Sequence, residues 1–89
     1  MTQPGAAEAV AVQLAAVARD VGLVVTCLRP QPGSGGRIFE VEMWDEDFQL
    51  WARARWVTAD VVREMIGRYA DRQVHLVRSA GRRAVGAGR

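Results

Sequence analysis

Eighty-nine residues are enough for one domain with one core, and a chain this short buries only a modest share of its surface. Charged residues at 25% and hydrophobic ones at 49% argue against wholesale disorder, and a net charge of +2 is too small to demand a polyanionic partner. No run reaches the roughly 18 apolar residues of a membrane-crossing helix, and Met1 to Gly5 lacks the basic start of a secretory signal.

The stretch from Ala6 to Asp20 is rich in alanine, with Val10, Leu14, Val17 and Val21 recurring at helical spacing. It predicts a helix ended by Gly22 in a left-handed cap. Val21 to Arg29 then reads as a strand that is apolar on both faces, Leu23, Val25 and Cys27 against Val24 and Leu28, and either set could be the inner one. Cys27 is the only cysteine, so no intrachain disulfide can form. Its apolar neighbours make it a small buried hydrophobe, and an intracellular, cytoplasmic setting is expected.

Pro30, Pro32 and Gly33 to Gly36 form the strongest break in the chain and read as a flexible loop. A phosphate-cradling loop would require a lysine, a GK[ST] ending and a following helix; here lysine is absent from the whole chain and a strand follows. All basic residues are arginine, which suits the Ala-, Val- and Gly-rich composition of a GC-biased coding sequence.

From Arg37 to Val57 two runs alternate with period two around Asp45-Glu46-Asp47, the pattern of a β-hairpin. Phe39, Val41 and Met43 share one face of the first run, and Glu40, Glu42 and Trp44 the other. In the second run Phe48, Leu50, Ala52, Ala54 and Trp56 make the apolar face, opposed by Trp51, Arg53 and Arg55. With the turn centred on Glu46-Asp47, Glu40 faces Arg53 and Glu42 faces Trp51. One residue later, both glutamates face arginines and Trp44 meets Trp51. Ile38 on the charged face and Trp56 on the core face break the pattern, which suggests a bulge near the strand ends.

Thr58 is a good N-cap for a second helix from Ala59 to Ala70, with Val62, Met65, Ile66 and Tyr69 on its apolar side and Asp60 in the first turn. Gln73 to Val77 reads as a short fourth strand. One domain is therefore expected over residues 1–78, followed by a disordered Arg/Gly/Ala tail over 79–89. The fold class is α+β: an antiparallel sheet of three to four strands carrying two helices on one face, in the order α-β-β-β-α with an optional last strand. The expected core is Val10, Leu14, Val17, Val25, Phe39, Val41, Met43, Leu50, Ala52, Val62, Met65, Ile66 and Tyr69.

The function expected from this pattern is non-enzymatic: a small interaction module or homo-oligomer that binds a protein partner or itself through Trp44, Trp51, Arg53 and Arg55, with Glu40 and Glu42 setting partner choice. Cross-strand pairing of the charges, and a loop or tail folded over the indoles, are the local alternatives. The second function is accessory nucleic-acid binding through Arg72, Arg78, Arg82 and Arg83 in the acid-free C-terminal segment. The sheet itself is a poor platform for nucleic acid because Glu40, Glu42, Asp45, Glu46 and Asp47 would repel phosphates. The order of the first five elements is also that of double-stranded RNA-binding domains, but the start of the second helix has one arginine and no lysine cluster.

Catalytic residues, metal ligands and cofactors are not expected. His75 is the single histidine; Cys27 could pair with it only across adjacent strands; and one cysteine with one histidine cannot make a zinc set. Asp45, Glu46 and Asp47 lack the glycine and closing glutamate of a calcium loop.

Overall fold

The structure, a computed structural model, describes the backbone of residues 5–87 and the side chains of residues 5–74. In chain order it contains α1 (Ala6–Asp20), β1 (Val24–Pro30), β2 (Phe39–Trp44), β3 (Leu50–Val57) and α2 (Ala59–Ala87). The strands form one antiparallel sheet in the order β1-β2-β3, and both helices pack on the same face of it, which is the α+β fold the sequence predicts.

Helix α1 ends as expected. Gly22 has φ +98°, its N–H donates to Arg19 O, and Leu23 N–H reaches back to Ala18 O at 3.0 Å, which drops the buried Leu23 side chain into the core. The face α1 turns inward differs from the expected valine stripe. Ala11, Leu14, Ala15 and Ala18 are buried, whereas Val17 is exposed and Val10 only half-buried, because small side chains let the helix approach the sheet closely.

Strand β2 keeps strict alternation: Phe39, Val41 and Met43 are fully buried and Glu40, Glu42 and Trp44 half-exposed. Both neighbours bulge against it. In β1 the pairs Val25–Met43 and Cys27–Glu42 leave Thr26 as the extra residue. In β3 the extra residue falls at Trp51, between Ala52–Met43 and Leu50–Trp44, and again at Arg55 and Trp56, between Ala54–Val41 and Val57–Phe39.

The bulges settle the faces. The inner set is Leu23 just before β1 with Val25 and Leu28 on it, which is neither of the two alternations. Leu50, expected in the core, pairs with Trp44 and stays 44% exposed.

The β2–β3 turn is built around Asp45, whose buried carboxylate Oδ1 accepts the N–H groups of Asp47 and Gln49, both at 2.9 Å. Phe48 closes it at φ +61° with its ring 82% exposed. In the loop before β2, Gln31 N–H donates to Ile38 O and Ser34 Oγ–H to Gln31 O, and Gly36 lies against Ala7 of α1. That packing carries the loop toward α1.

Helix α2 opens on Thr58, whose Oγ1 accepts Val61 N–H, and buries Val62, Ile66 and Tyr69 on one stripe. Residues 73–77, expected as a fourth strand, continue this helix, and its backbone runs on over 79–87, where the sequence suggested a tail. No proline interrupts the chain after Thr58, and adding residues to an existing helix avoids the nucleation cost that a new strand pairing would incur.

Left-handed backbone at a non-glycine residue costs roughly 1 kcal/mol. Phe48→Gly is therefore expected to exceed Phe48→Ala in stability by about that amount in urea unfolding, since both variants lack the ring and differ only in backbone freedom.

Candidate functional site

The face of the sheet turned away from the helices is built from β2 outward. Glu40 and Glu42 stand on the central strand, each fixed by an arginine from a different neighbour. Arg29 on β1 meets Glu40 at 2.9 Å, and Arg53 on β3 meets Glu42 at 2.8 Å. The Glu42–Arg53 pair belongs to the later-centred hairpin register. Glu40 takes its arginine from β1, a partner that pairing within the hairpin cannot reveal, and Trp44 faces Leu50 in place of Trp51.

Trp44 lies on this face as expected, half-buried. Its indole N–H donates to Thr26 Oγ1 at 3.0 Å and to Glu42 Oε1 at 3.1 Å, and Thr26 Oγ1–H donates to Glu42 Oε1 at 2.7 Å. The Thr26 bulge places this hydroxyl on the outer side. Hydrogen bonds from Thr26, Trp44 and Arg53, in that order of weight, favour the ionised carboxylate and hold the Glu42 pKa below its ordinary value.

Trp51 is a correction to the expected site. The bulge turns its side chain to the helix side, where Nε1–H donates to Met65 O at 2.9 Å and the ring meets Tyr69 edge-on at 5.1 Å. The Arg72 guanidinium covers the ring at 5.6 Å. Trp51 is thus a structural anchor between β3 and α2. Trp56, which strict alternation puts on the core face, is 71% exposed, because the second bulge, of the kind its misfit suggested, puts it on the outer side with Arg55. Its misfit with the alternation was the one signal in the sequence.

The outer face therefore has an apolar row at one end, Val24, Trp44 and Leu50, with Val24 and Leu50 each 44% exposed. Charge pairs fill the middle, and Arg55 with Trp56 stands at the other end. Arg55 forms no ion pair among the described residues.

Cys27 also lies here, its Sγ–H directed at Glu40 O at 3.9 Å. Burial, and then the Glu40 carboxylate, push its pKa up, so the thiol stays protonated. His75 is on α2, so the strand pair that would join it to Cys27 does not exist. Among the described residues no group of three His, Cys, Asp or Glu side chains is placed to hold a metal, and no helix is long and apolar enough to cross a membrane.

Of the alternative set, Arg72 stacks on Trp51 and lines a cleft with Asp45, Glu46, Asp47 and Tyr69. Arg78, Arg82 and Arg83 belong to the α2 backbone, and their side chains lie outside the described residues. Searches of protein-family models, of curated proteins and of solved structures find no match to this chain.

Two outcomes test the geometry. Trp51→Ala should destabilise the fold by about 3 kcal/mol or more, because it removes a packed indole and its bond to α2, and thermal melting will register the loss. A depressed folded-state pKa at Glu42 adds stability above the ordinary carboxylate range that is lost as pH falls through the folded value. Glu42→Gln should flatten the fall in melting temperature below about pH 4 relative to the parent chain.

Proposed function

We propose that this chain is a non-catalytic protein-interaction module whose outer sheet face docks a second protein. The observation that carries the reading is the composition of that face. Its exposed Trp56, Val24 and Leu50 surround glutamates that are already neutralised by Arg29 and Arg53. A partner can cover the apolar ends without stripping water from unpaired carboxylates, which is the costly part of burying a charged surface. Tryptophan and arginine are both among the residue types enriched where binding energy concentrates.

The partner we infer is a different protein. A surface with an apolar centre and a carboxylate for Arg55, which forms no ion pair among the described residues, complements this face. Nucleic-acid binding through the arginines of α2 is the weaker reading, because Arg72 is engaged by Trp51 and sits beside the acidic turn.

A photo-crosslinking residue placed at Leu50 should trap one discrete protein in the source cell, and the same residue at Arg63 on the exposed side of α2 should not. Trp56→Ala should cut the Leu50 adduct at least several-fold while leaving the melting temperature unchanged. Equal labelling from both positions, or an adduct indifferent to Trp56→Ala, would refute the face as a docking surface.

A further inference from the structure

The two edges of the sheet are unlike. β3 presents Arg53 and Arg55, charges that discourage pairing with another strand, and pairing β3 with its own copy would bring these arginines together. β1 reads Val-Val-Thr-Cys-Leu-Arg-Pro and pairs with β2 alone, which leaves its other side open among the described residues. Beside that open edge runs a groove between β1 and α1, lined by Ala11, Val12, Ala15 and Arg19 of the helix and residues 25–28 of the strand.

The helix flank along this groove is self-complementary. Glu8, Val12, Ala15 and Arg19 fall at offsets of 4, 7 and 11 residues and so occupy an arc of about 60° at 3.6 residues per turn. The acid stands near the N-terminus and the base near the C-terminus, with Val12 between them 70% exposed. Neither Glu8 nor Arg19 forms an ion pair among the described residues.

From this we infer that the chain forms a two-fold homodimer in which β1 pairs antiparallel with β1 of a second copy and the α1 helices pack antiparallel beside them. One axis perpendicular to the sheet serves both contacts. The midpoint between Glu8 and Arg19 lies about 10 Å before the end of α1 at 1.5 Å per residue. Cys27, the midpoint of β1, lies about 10 Å beyond the start of the strand at 3.3 Å per residue.

Since β1 runs back after the tight turn at Gly22, these midpoints fall side by side. Across the axis Glu8 meets the second copy's Arg19 twice, and the two exposed Val12 side chains approach each other over the buried Ala15. In a ladder centred on Cys27, Arg29 lies opposite Val25, so no like charges face each other. The Thr26 bulge and Pro30 keep that ladder short, which leaves the helix pair to supply much of the specificity. The dimer goes beyond the proposed docking role and uses a different surface. It would join two outer faces into one six-stranded platform.

Sedimentation equilibrium of the full chain should give twice 9.8 kDa. Val12→Lys, at an exposed position, should raise the dimer Kd at least tenfold with an unchanged melting temperature of the monomer. Glu8→Arg and Arg19→Glu should each weaken the dimer, and the chain carrying both should recover it, because the two pairs are then restored with their signs exchanged. A short bismaleimide should join Cys27 to Cys27 in the parent chain and lose that product in Val12→Lys. A monomer at every soluble concentration would overturn the inference. So would a dimer indifferent to Val12→Lys with no Cys27 cross-link, or two weakened single variants whose combination fails to recover. The Leu50 photo-adduct is read separately, so losing the dimer while keeping that adduct leaves the docking role standing.

Discussion

The unbroken alternation of β2 is the constraint on which the other parts depend. Phe39, Val41 and Met43 are fully buried on the central strand, and Val41 and Met43 share one cluster with Leu14 and Ala18 of α1 and Val62, Ile66 and Tyr69 of α2, so none can turn outward without opening a cavity in a core with few residues to spare. Glu40, Glu42 and Trp44 are consequently forced to the other side. The flanking strands then adapt to β2. Each bulge resets the parity of a neighbour so that its apolar residues meet the same core, at the cost of leaving two consecutive side chains on one face.

This division explains what could and could not be read from the chain. The helix from Ala6 to Asp20, the turn at Asp45, the cap at Thr58 and the two faces of β2 follow from local pattern and cap chemistry, and they stand where the pattern puts them. The β3 assignments of Leu50, Trp51 and Trp56 fail for one shared reason. Period-two counting assumes constant parity, and a bulge is a property of two strands together that neither strand encodes alone. Ile38 and Trp56 carried the trace of it: Ile38 lies in the loop before β2, and Trp56 is turned out by the bulge. In α1 the misreading has another cause. Valine outranks alanine in hydrophobicity, but the stripe that α1 turns to the sheet is Ala11, Leu14, Ala15 and Ala18, and Val17 falls outside it.

The same bulges decide which surface the molecule presents. Turning Trp51 inward anchors β3 to α2 through Met65 and Tyr69 and leaves its indole under Arg72. Turning Trp56 outward gives the sheet an aromatic group that the chain does not otherwise need for its core. Arg29 and Arg53 neutralise Glu40 and Glu42, and Arg72 lines a cleft with the acidic turn. What remains outward is a nearly neutral face with apolar ends.

Phe48 shows how much of that outward chemistry is independent of stability. A left-handed residue in a hairpin turn is ordinarily glycine or asparagine, and the ring here packs on nothing that offsets its backbone strain. The turn is held by Asp45, whose carboxylate does not depend on the identity of residue 48. The aromatic side chain at the tip of this turn, 82% exposed, is therefore carried at the expense of the isolated fold.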